Sequence, residues 1–108
     1  MQSKISIINF IKMEQSAQNT AHNIQAVLTI HTDHLPDNFQ EIVRHEQEII
    51  AGWKAEGILE HFFLRPTKDG AVFIFKGLSQ KDVEERMQQL PLYKLQKSTE
   101  YVSMIKQF

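Results

Sequence analysis

The chain has 108 residues, no cysteine, and 12 basic against 13 acidic side chains, which give a formal net charge of −1. Its length and its 42% hydrophobic content are enough for one core but not for two. The balanced charge creates no extended electrostatic field that would attract nucleic acid or an anionic membrane. The lack of cysteine excludes disulfides, thiolate metal ligands and cysteine nucleophiles.

The first 23 residues differ in composition from the rest, so we expect an extension or linker at 1–23 and one folded domain at 24–108. Lys4 precedes a largely apolar run, Ile5–Ile11, whose pattern fits no single period. An extra edge strand, an arm that docks on a neighbouring subunit and a disordered leader all remain open for this run. Because it is short for a secretion signal and contains Asn9, we expect a cytoplasmic protein.

The folded part begins with a strand and a helix. Apolar and more polar residues alternate over Ile24–His31, which predicts a strand. Pro36 suits the first turn of a helix and Gly57 suits the residue that ends one, so we predict a helix between them. Its apolar positions are Phe39, Ile42, Val43, Ile49, Ile50 and Trp53.

A hairpin is predicted next. Ile58–Arg65 and Ala71–Lys76 are β-rich runs, and Asp69 with Gly70 predicts a turn with positive φ between them. The second run is apolar at both odd and even positions. A single layer of helices can cover only one face of this strand, so the other face needs a different covering element.

The last third of the domain predicts a helix and a strand. Ser79 and Asp82 approximate a capping box for a second amphipathic helix, which stops at Pro91. Apolar residues within Tyr93–Ile105 predict a final strand, broken near Ser98.

The predicted order β-α-β-β-α-β is that of an α+β, ferredoxin-like fold, in which two helices cover one face of a four-stranded antiparallel sheet. The other face stays bare and carries Val27 and apolar residues of the hairpin. A second copy's sheet is a better neighbour for this face than water, so we expect a homodimer of the dimeric α+β barrel type.

One charged residue falls inside the apolar stripe of the first helix. At about 100° per residue, Glu46 points along the middle of the stripe. Because desolvating a charge is costly, Glu46 is expected to be paired, protonated or facing a cavity. In an apolar pocket its pKa rises toward neutrality, so that one carboxyl can take and return a proton. A structural ion pair with Arg44, His45, Arg65 or another nearby cation at the end of the sheet is the alternative.

A wider set of residues, spread over about residues 24–105, has a distinctive order and spacing. Its members are Glu41-Ile42, Glu46, Trp53, Ala55, Gly57, Leu59, Arg65-Pro66 and Leu90-Pro91-Leu92. This pattern resembles that of the muconolactone isomerases and their relatives. The resemblance implies a ferredoxin-like subunit, sheet-to-sheet dimers assembled into larger rings, and a cofactor-free proton shift within an unsaturated lactone during the breakdown of aromatic compounds.

By the same resemblance Glu46 is the proton carrier, and Arg65 holds a substrate carboxylate or the developing oxyanion. His45 stands where the classical enzymes have a basic residue, and it completes the predicted catalytic set. Ile49 and Ile50 replace further basic residues, so the substrate's negative charge has fewer partners here. A relative that acts on another small molecule fits equally well.

Five more residues are candidates for substrate binding. Trp53, Leu90 and Leu92 are expected to line the pocket, and His31 and His61 are expected to lie at a pocket between subunits. A polar loop at residues 31–34 could also bind a metal together with His61, but such loops are typically solvated. We predict neither a metal nor a cofactor.

Three functions fit the sequence. The first is a muconolactone isomerase-like enzyme, the second is a non-catalytic dimeric domain that binds a small ligand or supports assembly, and the third is a cofactor-free monooxygenase or haem-handling relative. A small-molecule substrate and a second copy of the chain are the expected partners, whereas nucleic acid and membranes are not.

Overall fold

A computed structural model describes residues 22–108, so the three interpretations of the amino-terminal run concern residues outside the described part. In chain order the elements are β1 (His22–Ile30), α1 (Phe39–Glu56), β2 (Leu59–Leu64), β3 (Gly70–Lys76), α2 (Gln80–Met87), a 3-10 helix (Pro91–Leu95) and β4 (Gln96–Ile105). None of the helices in this part has the length and apolar character needed to cross a membrane.

The four strands form one antiparallel sheet in the order β2-β3-β1-β4. With its two intervening helices, this order is the ferredoxin-like βαββαβ fold that the sequence predicts. One face of the sheet carries the core, where Ile24 and Ala26 of β1 lie opposite Phe75 and Phe73 of β3, and all four are fully buried. Side chains from both α-helices join the same buried cluster.

The first helix begins later than predicted and ends where predicted. Phe39 donates its N–H to the Pro36 carbonyl at 3.1 Å in a turn, because Asp37 and Asn38 favour a turn over a first helical residue. At the other end Gly57 has a left-handed φ of 82° and donates to carbonyls of the last turn. The buried residues of α1 are Glu46, Ile50 and Trp53.

The connection between β2 and β3 contradicts the predicted Asp-Gly turn. The residue with positive φ is Lys68, at 63°, rather than Asp69 or Gly70. Gly70 serves a different purpose, because it starts β3 beside β1 and a Cβ there would lie 2.2 Å from the Leu28 carbonyl oxygen. The close approach of two backbones therefore explains the glycine.

The second helix is capped as predicted, but the chain after it is not a strand at first. The Ser79 hydroxyl accepts from the Asp82 N–H at 3.1 Å, and the Ser79 N–H donates to the Asp82 carboxylate at 3.5 Å. The prediction is wrong for Tyr93 and Leu95, which lie in the 3-10 helix, because Pro91 suits the first turn of a helix.

The break predicted near Ser98 is also wrong. β4 continues through this position, and the register against β1 shifts by one residue, since Thr29 faces Ser98 whereas Ile30 faces Gln96. Lys97 is the extra residue of a β-bulge. A bulge absorbs one residue without ending the strand, and the composition of the segment does not distinguish it from a break.

The second face of the sheet has no covering element among the described residues. Apolar side chains from all four strands meet there, and Phe63 and Val102 are 56% and 47% exposed. The remaining apolar members, all partly exposed, are Val27, Val72, Ile74 and Met104. The face thus has the apolar character that the sequence predicts.

Replacing Gly70 with alanine is expected to destabilise the protein by about 1–3 kcal/mol, because the added methyl group has to push β3 away from β1. The matched variant is Gly52→Ala in α1, where a Cβ would meet nothing within 4 Å and where alanine should stabilise by roughly 0.5–1 kcal/mol. In urea unfolding, the free energy of unfolding should therefore fall for Gly70→Ala and rise for Gly52→Ala. An unchanged or raised stability of Gly70→Ala would contradict the close approach.

Candidate functional site

The carboxyl group in the apolar stripe of α1 is buried. Glu46 is 5% exposed, and its Oε1 accepts a hydrogen bond from the backbone N–H of Leu92 at 2.9 Å. Leu92 is the second residue of the 3-10 helix, where Leu90, in the N-cap position, offers no side-chain acceptor. Glu46 therefore supplies, from a distant helix, the acceptor that the first turn lacks.

The ion pair considered as the alternative for Glu46 is not formed within residues 22–108. His45 lies 4.0 Å from Glu48, on an exposed part of α1, and Arg65 lies 3.8 Å from Asp69. Within this part of the chain, no cation is within ion-pair distance of the Glu46 carboxyl. The group is buried without a compensating charge from any described residue.

This burial decides the protonation of Glu46. Loss of water raises the pKa of Glu46 from 4.5 to about 7, and the hydrogen bond from the Leu92 N–H opposes part of that rise. The carboxyl consequently changes its protonation state close to neutral pH.

A cleft of about 220 Å³ is lined in part by Leu92, the residue that donates its N–H to Glu46. Its lining residues are Leu28, Ile30, Phe39, Val43, Leu64, Arg65, Lys68, Gly70 and Leu92. Glu46 is not one of them, so its carboxyl is connected to the cleft wall through Leu92. The site is a small, mostly apolar cleft lined by two cations and by Leu92, whose N–H binds a buried carboxyl with a pKa of about 7.

The two cations come from the loop that joins β2 and β3. The Lys68 N–H donates to the Arg65 carbonyl at 2.9 Å and closes the turn between them. Lys68 adopts the left-handed region, which costs a residue with a side chain about 1–2 kcal/mol. Backbone strain of this kind is commonly retained at ligand sites, and here it belongs to a lysine that lines the cleft.

The three histidines among the predicted site residues do not line the cleft. His45 follows Arg44 on the exposed side of α1, and His31 is exposed just after β1. His61 lies on the uncovered face of the sheet, where its ring stacks against Phe63 with centroids 6.1 Å apart.

The structure also separates the residues of the possible metal site. His61 pairs with Ile74, and Ile74 pairs with Gln25, which lies six residues before His31 in β1. At about 3.3 Å per residue, His61 and the loop at residues 31–34 are roughly 20 Å apart along the sheet. Within residues 22–108 no three potential metal ligands cluster.

Of the predicted pocket residues, Leu92 alone lines the cleft. Trp53 is buried in the core, with its ring centroid 5.5 Å and 6.4 Å from two phenylalanine rings of β3. Leu90 is buried in the same core. The structure therefore brings together Glu46, Arg65 and Leu92 from the predicted set.

Sequence reasoning did not identify Lys68 as a cleft residue. One signal was present, because Lys68 follows Arg65 by three residues in a short loop between two strands. A tight turn over those residues places both cations at the same end of the hairpin. The predicted turn at Asp69 and Gly70 obscured that relation.

Comparison with known proteins gives no assignment for the chain. It matches no protein-family model, and none of the curated proteins matches it. The proposal for its function therefore depends on the geometry and charges of the described residues and on the sequence pattern.

Replacing Glu46 with glutamine should change how stability depends on pH. Because folding raises the pKa of Glu46 from 4.5 to about 7, the folded protein holds this proton more tightly than the unfolded chain. The wild type should be most stable, as far as this group is concerned, below pH 4.5 and should lose up to about 3 kcal/mol as the pH rises through about 7. The glutamine variant should lack that loss.

Denaturant unfolding between pH 4.5 and 8 measures the effect. Glu48→Gln is the matched control, because Glu48 lies on the same helix but is 68% exposed, and it should keep the wild-type pH slope. Identical slopes for wild type and Glu46→Gln would show that the carboxyl is not titrating near neutrality.

Proposed function

We propose that the protein is a cofactor-free isomerase that shifts a proton within a small unsaturated lactone or a related metabolite, like the muconolactone isomerases that its sequence resembles. The observation that supports this is the position of Glu46, a buried carboxyl with a pKa of about 7 that is hydrogen-bonded to the wall of a cationic, apolar cleft. A carboxyl with that pKa exists in both protonation states near pH 7, as proton transfer in both directions requires.

In the proposed reaction, ionised Glu46 takes a proton from an acidic C–H group of the conjugated lactone. The electron pair of that bond enters the conjugated system and forms a dienolate, whose oxygen carries the negative charge. Protonated Glu46 then returns the proton to another carbon of the system, and the double bond moves. Atoms and electrons balance without an oxidant or reductant, so the reaction needs no cofactor.

The cations and the size of the cleft indicate the class of substrate. Arg65 and Lys68 are suited to a substrate carboxylate or to the dienolate oxygen, because both form charge-assisted hydrogen bonds with anions. The volume of about 220 Å³ is below the roughly 300–1,000 Å³ of drug-sized sites, which favours a small metabolite.

Leu92 is the gate of the proposed site. Because Leu92 lines the cleft and donates its N–H to Glu46, which is not itself a lining residue, substrate has to displace the Leu92 backbone to reach the carboxyl. Displacement breaks the hydrogen bond to Glu46, which leaves the carboxyl free to act as a base. Movements of short segments of this kind occur in microseconds to milliseconds and need not limit turnover.

The proposed enzyme is an oligomer of the cytoplasm. The uncovered sheet face, with Phe63 and Val102 exposed, favours pairing with a second copy of the chain, and such dimers are the expected units of a larger ring. We propose a cytoplasmic location, which agrees with a sequence that contains no cysteine.

Glu46→Gln should reduce kcat for lactone isomerisation by about 10²–10⁴-fold, because glutamine cannot carry the proton. For the wild type, kcat/KM should rise with pH through about 7, as Glu46 ionises. The measurement is deuterium incorporation and double-bond migration, followed by proton NMR in D₂O over a panel of five-membered unsaturated lactones. Glu48→Gln is the control with unchanged activity, and wild-type turnover by Glu46→Gln would refute the mechanism.

Arg65→Gln should lower kcat/KM for a lactone that carries a carboxylate by roughly 10–100-fold, the loss expected for one charge-assisted hydrogen bond. A neutral lactone of the same size should lose less, if Arg65 binds the carboxylate and not the oxyanion. Arg44→Gln, at an exposed position of α1, is the control. Equal activity of both arginine variants would remove Arg65 from the site.

A second function has one observation in its favour. The hydrogen bond that Glu46 receives from Leu92 gives the carboxyl a structural task as the cap of the 3-10 helix. In that case the protein is a non-catalytic ligand-binding or assembly domain. No lactone would then turn over, while Glu46→Gln, whose amide oxygen still accepts from Leu92, would fold normally.

A further inference from the structure

β2 is an edge strand with an apolar open side. The sheet order leaves it with β3 as its neighbour among the described residues. Its last three residues, Phe62, Phe63 and Leu64, are 37%, 56% and 73% exposed. Proteins usually cover or charge such an edge, because an apolar edge strand pairs readily with another strand.

The open side of β2 also presents backbone hydrogen-bonding groups. Arg65 donates its N–H to the Gly70 carbonyl at 3.0 Å. Alternation along an antiparallel ladder then turns the backbone groups of Phe63 toward β3 and those of Phe62 and Leu64 away from it. Within residues 22–108, the groups that point away have no ladder partner.

A groove of about 420 Å³ follows the same edge on the helical side of the sheet. Gln47, Ile50, Ala51 and Lys54 of α1 form one wall, and residues 59–62 of β2, which include Glu60 and His61 as polar members, form the other. A strand added to β2 would direct every second side chain into this groove, since side chains alternate between the two faces of a sheet.

We propose that residues 4–12 of the same chain bind here as a fifth strand, antiparallel to β2. The central part, Ile5–Ile11, contains four isoleucines and a phenylalanine, with Ser6 and Asn9 as its polar members. Both faces of such a strand are apolar, which is typical of strands that are covered on both sides. One face would fill the groove, and the other would extend the uncovered face of the sheet.

The connection to β1 favours the β2 edge. β1 and β2 run in the same direction, because both are antiparallel to β3, so His22 and Leu59 lie at one end of the sheet. A strand antiparallel to β2 finishes at that end, three strand spacings or about 14 Å from β1. Residues 13–21 reach up to about 30 Å when extended.

The opposite edge is a poorer match. An antiparallel strand on β4 would finish beside Gln96, and the linker would have to return along the whole of β1 to reach His22. β4 exposes Lys97, Glu100 and Ser103 as well as Val102 and Ile105, so its edge is of mixed character, whereas the last three residues of β2 are all apolar. Because the linker is short, residues 4–12 have a higher effective concentration at β2 of the same chain than the same segment of a second copy has.

Amide hydrogen exchange of the full chain tests the strand. The amides of Phe62 and Leu64 should be protected, and at least one of the variants Ile7→Pro and Ile8→Pro should speed their exchange by roughly tenfold or more, because adjacent residues of a strand donate to opposite sides. Gln15→Pro, in the linker, should leave them protected. Unprotected amides in the wild type, or protection that survives both proline variants, would overturn the proposal.

A nitroxide label separates binding in the same chain from exchange between copies. Because the protein has no cysteine, the label can be placed on Ser6→Cys alone. The NMR signals of the β2 amides should broaden when the nitroxide label and nitrogen-15 are in the same chain. Broadening of nitrogen-15 chains by separately labelled chains would instead show an exchanged arm, and selective broadening of β4 would show the wrong edge, so either result contradicts the proposal.

Discussion

A carboxyl group that loses its water must accept hydrogen bonds from the protein or take up a proton, and Glu46 meets both conditions in part. It accepts one bond from Leu92, and burial raises its pKa to about 7. The bond joins α1 to the 3-10 helix, which follows α2 and leads into β4. The helical layer and the last strand are therefore linked through a group whose charge changes near neutrality.

The loop between β2 and β3 supplies the positive charge that is missing beside Glu46. Arg65 and Lys68 bring positive charge to a cleft whose other side chains are apolar. Neither lies within ion-pair distance of the Glu46 carboxyl, and Arg65 is 3.8 Å from Asp69. The carboxyl is therefore free of an ion pair with any described cation, while Asp69 offsets part of the charge of Arg65.

Much of the architecture could be predicted from periodicity and end signals. The alternation in β1, the glycine after α1 and the capping box of α2 are local features, and local physics decides them. Glu46 was found in the same way, because its place in the helical stripe depends only on the angle between residues.

The errors lie where distant parts of the chain meet. Gly70 is fixed by a carbonyl in β1 that no local pattern reveals, and the positive φ of the loop falls on Lys68 instead. The hydrogen-bond partner of Glu46 is 46 residues away. Sequence spacing therefore could not decide whether Glu46 is paired, protonated or facing a cavity. Leu92 was expected to line a pocket, but its hydrogen bond to Glu46 depends on the 3-10 helix, which the sequence pattern did not predict.

The contact between Gly70 and Leu28 has a consequence for how such a protein can diversify. Both residues line the cleft, and a Cβ at position 70 would lie 2.2 Å from the Leu28 carbonyl oxygen, so a larger residue there has to move a strand. Leu64 and Lys68 line the same cleft but are exposed. New ligand preferences in descendants of this chain should therefore arise at exposed lining positions, while Gly70 is kept.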